Sequence, residues 1–257
     1  ASLAFSTFAL SGCVNAAPAS SPVSSSSTTS LPASSSVPVS SSTSDSSSLA
    51  AWVDYAHNGS VKLNLDYANR TFASDGVEQV TLKTCIDGDT AHFYPVSKTP
   101  VGGLDYIKAR FYGIDTPEST GKVQPYGRGA SDYTKAALTT AGKSGTIVLS
   151  SPSTAYGAPS ADSTGSRYVS LVWINPSVKN APFDQLYLLN LMIVQDGWSW
   201  VKNVLDMPSY SDTFYAAESQ ANDYKLNLFS GKPDPRFNAG NYQYVSLLEL
   251  KKEVELS

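Results

Sequence analysis

Arg110-Phe111-Tyr112-Gly113-Ile114-Asp115-Thr116-Pro117-Glu118 is the stretch on which the reading of this chain turns. Residues 106–114 read as a strand. Pro117 breaks it, because proline has no N–H for a ladder bond and its ring fixes φ. In an extended chain Arg110 and Asp115 point to opposite faces, since side chains alternate. A bulge or twist near Gly113 is needed to bring both to one pocket, and glycine at that place is compatible with a kink. Asp-Thr-Pro-Glu also has a plain reading as a helix start, with Thr116 as cap and Pro117 as the first helical residue.

Upstream, residues 80–94 read as strand, tight turn, strand, with Asp87-Gly88-Asp89 in the turn. Most Asp-Gly turns bind nothing. Ile86-Asp87-Gly88-Asp89-Thr90 and the Arg110 stretch make a stronger case jointly. A hard divalent cation needs several oxygen ligands, usually carboxylates with backbone carbonyls and waters. Asp89 and Asp115 offer carboxylates and Thr116 a backbone carbonyl. Glu118 lies three residues beyond Asp115, close enough to hold a water beside the cation. Such an oxygen site alone suits magnesium or manganese as well as calcium.

Downstream, Tyr133, Ala137 and Leu138 place one apolar face on a helix over 131–141, which Gly142 can stop. Residues 146–150 and 167–174 read as strands. Residues 186–196 read as a helix ended by Gly197. Phe214, Ala217, Ala221, Tyr224 and Leu228 mark a third helix by their spacing. Strands cluster early and helices alternate late, without regular βαβ units. This is the profile of a small barrel with packed helices rather than a doubly wound sheet. Residues 234–241 form a turn-rich exit, and 246–253 suit either a short amphipathic helix or a closing strand.

The two acidic segments together resemble the core signature of the staphylococcal nuclease family. Tyr126-Gly127, Ala130-Ser131 and Thr134-Lys135 resemble that family's helix after the catalytic loop. Leu189-Asn190 with Val194-Gln195-Asp196-Gly197 resembles its second helix, and Ala217-Glu218-Ser219-Gln220-Ala221 with Leu226-Asn227-Leu228-Phe229-Ser230 its third. The resemblance runs in order over roughly 80–230. It implies an α+β fold, an OB-type five-stranded β-barrel with three packed helices. It also implies calcium-assisted hydrolysis of DNA and RNA that leaves 3′-phosphate ends.

Carried over residue by residue, Asp89, Asp115 and the Thr116 carbonyl are the expected Ca²⁺ ligands. Glu118 is the expected general base and Arg110 the expected contact to the scissile phosphate. Arg167, at the start of a later strand, is the expected second arginine, although Ser166 stands where the family more often has glycine. Arg128, beside Gly127, is the fallback. Lys122 is the one basic residue between Glu118 and Tyr126 and is expected to bind phosphate there. The family's base-stacking tyrosines are replaced, which leaves Tyr156, Tyr168 or Trp200 for that role, each with core packing as its competing reading; Tyr168 is the expected substrate contact. The alternative to an enzyme is a non-catalytic nucleic-acid-binding OB module of a surface lipoprotein. A purely structural surface lipoprotein gives no reason for the carboxylate and arginine set.

The chain has 257 residues and a formal net charge of -4. An acidic balance argues against loose, sequence-blind coating of nucleic acid. Between residues 79 and 170, however, nine Lys or Arg stand against seven Asp or Glu, several of them the proposed metal ligands. Cation binding would leave that stretch positive. Residues 16–48 are almost only Ser, Thr, Pro, Ala and Val, with Asp45 the sole charge. Such a segment cannot bury enough apolar surface to offset its ordering entropy. Residues 13–49 are therefore expected to be a disordered Ser-rich stalk, with a reach of about 30–35 Å.

Leu10-Ser11-Gly12-Cys13 follows an apolar run and resembles the end of a bacterial lipoprotein signal peptide. Residues 1–12 are then a signal remnant and Cys13 the acylated residue. The expected location is the outer face of a bacterial membrane, with secretion as the alternative, and the expected state is a monomer. The apolar run is too short to span a membrane. The folded domain is expected over 50–234, with 235–257 as a tail packed on or flanking it. Cys85 reads as a small buried hydrophobe.

Overall fold

The hairpin expected around Gly88 and Asp89 starts the barrel. The computed structural model describes residues 49–152, 157–204, 207–238 and 243–244. They lie within one unit, Ser47–Ser257. The expectations for Cys13, the stalk, Tyr156 and residues 246–253 fall outside the described residues. A four-residue helix, α1 (Phe72–Asp75), precedes β1 (Val77–Asp87) and β2 (Thr90–Pro95), which pair antiparallel with Asp87 opposite Thr90. β3 (Ile107–Phe111) adds antiparallel to β2. A two-residue β4 (Ile114–Asp115) follows, and then α2 (Gly127–Ser144).

β5 (Thr146–Ser150) returns to pair with β1, and β6 (Tyr168–Asn175) pairs antiparallel with β5 and parallel with β3. The order β3-β2-β1-β5-β6 thereby closes on itself as a five-stranded barrel. Closure leaves no open edge between these strands. β7 (Tyr187–Leu188) lies on β6 and runs into α3 (Leu189–Gln195). β8 (Trp200–Val201) pairs with β4, and α4 (Pro208–Asp223) comes after it. β9 (Phe237–Asn238) and β10 (Gln243–Tyr244) form a separate pair. This is the OB-type α+β architecture that the resemblance implies.

Side-chain alternation fills the barrel. On β3, Ile107, Ala109 and Phe111 are buried while Lys108 and Arg110 reach the outer surface. Phe93, Leu149 and Leu171 are buried with them. A fully buried Phe or Leu contributes about 1.5–3 kcal/mol relative to an exposed one. All five residues of β5 are buried, so this strand is covered on both faces. Cys85 is packed against the core, and burial pushes its thiol up to about 11, which leaves it a poor nucleophile.

Several boundaries differ from the sequence expectation. The 106–114 strand is split after Phe111, because Gly113 takes φ +77°. α2 does not stop at Gly142 but runs to Ser144. The stop is Gly145, where an added Cβ would sit 1.7 Å from the Asn175 carbonyl oxygen. Only a glycine lets the chain pass there. The helix expected over 186–196 is shorter, since Tyr187 and Leu188 are taken up by pairing with β6. The third helix starts at Pro208, a residue suited to a helix's first turn, and ends at Asp223, before Leu228.

Asn190 joins the helical layer to the barrel. Its side chain is fully buried; its Oδ1 accepts from Val172 N (2.9 Å), and its Nδ2 donates to Tyr112 O (2.8 Å). The amide thus fixes α3 against β6 and against the turn that follows β3. Asn190→Ala strands a buried N–H and a buried carbonyl. It is expected to cost roughly 2–3 kcal/mol, read as a lower urea midpoint with an unchanged slope.

Candidate active site

The site starts from the β1–β2 turn. Gly88 allows the turn to close under Thr116: an added Cβ would lie 2.7 Å from the Thr116 hydroxyl oxygen. From below, the Thr134 hydroxyl on α2 donates to Gly88 O at 2.6 Å. The next residue, Asp89, is only 2% exposed. Its Oδ1 receives Arg110 Nη1 and the Thr90 hydroxyl, and its Oδ2 receives Thr116 N at 3.0 Å. Burial pushes the Asp89 carboxyl above its ordinary value, while the Arg110 charge and these donors pull the other way.

The left-handed turn at Gly113 settles the face problem posed by Arg110 and Asp115. After that turn the two side chains meet, Arg110 Nη2 donating to Asp115 Oδ1 at 2.8 Å. One guanidinium therefore spans both carboxylates. Lys202 Nζ donates to the second Asp115 oxygen at 2.7 Å. Asp115 N donates to the Ser199 hydroxyl at 2.9 Å, which holds β4 to the chain entering β8.

Glu118 is exposed on the loop beyond Pro117. Its backbone is bracketed by Gln124, whose Oε1 accepts Glu118 N and whose N–H donates to Glu118 O, both at 2.9 Å. Gly127 presses on the same peptide, with an added Cβ only 2.2 Å from Glu118 O. Partial burial of the side chain, then the neighbouring Asp87 and Asp89 carboxylates, hold Glu118 above the usual glutamate value, against the pull of Arg110. Asp87 is itself buried, and its Oδ1 receives Gly88 N and Ser119 N at 2.8 and 3.1 Å.

Arg167, Arg128 and Tyr168 have partners of their own. Arg167 is held by Asp162, Nε to Oδ2 at 2.6 Å, where the chain enters β6. Arg110 pairs with Val169 across β3 and β6, so alternation places Arg167 on the same side of the barrel wall as Arg110. Arg128 sits on α2 in an exposed pair with Asp132. Lys122 is exposed in the loop between Pro117 and Tyr126. Tyr168 is paired with Ala109, on the face opposite Arg110. It packs edge-on to Phe72 at 6.1 Å, and its hydroxyl lies against Gly102. The structure does not bring it to the carboxylate cluster.

The donors at the centre are all oxygen, as a hard cation requires: the carboxylates of Asp89 and Asp115, with the Thr116 peptide between them and Glu118. The Thr116 hydroxyl is buried and without a hydrogen-bond partner among the described residues. Also among the described residues, no group of three or more His, Cys, Asp or Glu side chains is placed to hold a metal ion. The two central carboxylates instead share the positive charges of Arg110 and Lys202. The donor chemistry fits a divalent cation, with fewer side-chain carboxylates than a preformed cage.

Residues 108–231 match the family model described as staphylococcal nuclease homologue. Over those residues the chain is similar to the staphylococcal nuclease family. No curated protein matches the chain. The family match contains Arg110, Asp115, Thr116, Glu118, Lys122, Arg167 and Tyr168, and it begins after Asp89, which the β1–β2 hairpin carries into place.

Sequence reasoning read Asp87 only as a turn residue and missed Gln124 and Lys202 as neighbours of the carboxylate cluster. The doubled acid around Gly88 was a usable signal for Asp87. Gln124 and Lys202 carry none, because their contacts depend on the loop path and on the β4–β8 pairing. The Asp162–Arg167 pair yields a pH-dependent expectation. Burial raises the Asp162 pKa, but the Thr164 hydroxyl and the Arg167 guanidinium outweigh it and hold it below the ordinary aspartate value. A lowered folded-state pKa stabilises the fold above the unfolded pKa, and that contribution is lost as pH falls through the folded one. Asp162→Asn is therefore expected to lower the melting temperature at neutral pH. The difference should shrink towards zero below the ordinary aspartate pKa, as thermal melts across pH will read.

Proposed function

We propose that this chain is a calcium-dependent phosphodiesterase that hydrolyses DNA and RNA and leaves 3′-phosphate ends. The observation that carries the reading is the convergence of Asp89, Arg110 and Asp115 beside Glu118 on one rim of a barrel whose residues 108–231 match the staphylococcal nuclease homologue model. The family is typically one of nucleases, and this constellation is what phosphodiester hydrolysis asks for. Water adds to phosphorus, the bond from phosphorus to the 5′ oxygen breaks, and the 3′ oxygen keeps the phosphate. Extra negative charge builds on the phosphate oxygens in the transition state.

Arg110 is assigned to those oxygens once its guanidinium turns from Asp89 and Asp115, since a planar guanidinium can hold two at once and stays charged. Arg167 is assigned the same task from the start of β6, after release from Asp162. Glu118 takes the proton of the attacking water. Gln124 and Gly127 keep its peptide in place. Lys122 is assigned to a flanking phosphate. Asp89, Asp115 and the Thr116 carbonyl would hold calcium, which supplies positive charge against the reacting phosphate. Calcium, rather than another hard cation, is taken from the family resemblance.

On this reading residues 50–234 form the nuclease-like domain, with 235–257 flanking it, and the protein works as a monomer. We also infer, from the residues before Cys13 and the Ser-rich composition that follows, a lipid anchor on Cys13 at the outer face of a bacterial membrane. Radiolabelled fatty acid retained by the wild-type chain and lost in Cys13→Ala is the expected result.

The chain is expected to cut plasmid DNA and RNA with calcium and to stop when a chelator is added. Glu118→Gln should lower turnover about 10²–10⁴-fold, and Arg110→Ala about 10²–10³-fold, with unchanged circular dichroism. Arg167→Ala should lose more than Arg128→Ala. Near wild-type rates in both Glu118→Gln and Arg110→Ala would mean that the site is wrongly assigned. Binding of oligonucleotide without any calcium-dependent cleavage would instead support the non-catalytic module.

A further inference from the structure

Beyond Arg110, the outer face of the barrel carries a second concentration of positive charge. β3 turns Lys108 outward on the same face as Arg110, two residues and about 6.6 Å along the strand. Across the ladder His92 stands opposite Lys108, and Thr84 of β1 stands opposite His92. The pairing of β1 with β2 slips between Leu82 and Thr84, so Lys83 is the extra residue of a β-bulge. A bulge breaks the alternation of faces. Lys83 and Thr84 are accordingly both exposed, although they are neighbours in the chain. Unbroken alternation would turn one of them inward.

Lys83 is held where the bulge puts it. Its ammonium lies 3.4 Å from the centre of the Tyr106 ring and 5.0 Å from that of Tyr94. The Tyr106 ring is in turn tilted against His92 at 5.3 Å. An ammonium over an aromatic face is attracted by the ring and keeps donors for a further partner. Burial, and then the charges of Lys108 and Lys83, hold His92 below its ordinary value. Among the described residues neither lysine forms an ion pair, whereas all five arginines and Lys202 do. Two ammonium groups are thus gathered around one imidazole with no carboxylate to answer them. Such a patch attracts anions.

We propose that Lys83 and Lys108 form a phosphate path, which holds the nucleic-acid backbone flanking the reacting phosphate. The proposal rests on the phosphodiesterase reading, which puts the reacting phosphate at Arg110. Lys108 takes the first phosphate beyond it, and Lys83, on the far side of His92, takes the next. The two lysines continue the line of Arg110 across one face of the sheet, which suits a chain of phosphates better than a single ion. Phosphate contacts position a strand without reading its bases. The path therefore adds affinity for long substrates of any sequence. A substrate too short to extend past Arg110 gains nothing from it.

The full chain is tested with a thymidine dinucleotide, which has a single internucleotide phosphate, and with a long oligothymidylate. With calcium, the double variant Lys83→Gln, Lys108→Gln should raise KM for the oligomer about tenfold and KM for the dinucleotide less than about twofold. The slope of log affinity against log salt should fall by about 0.7 for each lysine removed. Lys83→Arg with Lys108→Arg should restore both. An equal rise in KM at both lengths, or an unchanged salt slope, would overturn the path while leaving the nuclease reading in place. Should neither probe be cut, the anisotropy of labelled oligomer reads the same slope without turnover. A loss of slope in the glutamine variant then supports the path even though the nuclease reading has failed, and salt-independent binding by the wild type overturns it. Lost binding to phosphatidylglycerol vesicles with an unchanged oligomer slope would give the patch to a lipid surface and overturn it too. Thermal melts of both double variants check the fold.

Discussion

Asp89 is almost fully buried, and its two carboxylate oxygens receive donors from β2, from β3 and from the loop after β4. A buried carboxylate is tolerable only if its lone pairs are met and its charge is answered. Thr90, Arg110 and Thr116 are therefore not free to drift, and with them the hairpin, the third strand and the Pro117 loop are held to one point. Arg110 cannot serve Asp89 without lying between it and Asp115. The geometry of the whole rim follows from keeping this one charge satisfied.

The rim gathers more negative charge than such a small space ordinarily tolerates. Burial, and then Asp87 and Asp89, raise the cost of ionising Glu118, and burial with a smaller part from Asp87 raises that of Asp89. Arg110 and Lys202 offset part of it. A surface that holds carboxylates together with cationic side chains offers partners to both cations and anions. The mounting is as important as the charges. Gln124 and Gly127 act on the Glu118 peptide, while Ser199 acts on the Asp115 peptide. Backbone, rather than side chain, is what these neighbours fix.

The aromatic residues divide according to strand parity. Tyr168 pairs with Ala109, inside the barrel, and is absorbed into packing with Phe72. Trp200 pairs with Asp115, outside, and stays open to solvent. Both are candidates for the base contact that the resemblance implies. A one-residue shift in either ladder would turn that ladder's aromatic to the opposite face.

The sequence by itself determined the barrel-with-helices class, the acidic turn at Gly88, the need for a kink at Gly113 and the residues of the central cluster. These are local matters: alternation, turn chemistry, and the spacing of acids and an arginine within a few residues. The tertiary structure alone decided the rest. Gly145 ends α2, rather than Gly142, because the Asn175 carbonyl occupies the space of a Cβ. Tyr187 and Leu188 leave the expected helix because β6 offers them hydrogen bonds. Lys202 and Trp200 join Asp115 across 87 and 85 residues of chain. Contacts between residues so far apart depend on strand register and barrel closure, and no local pattern in the sequence encodes either.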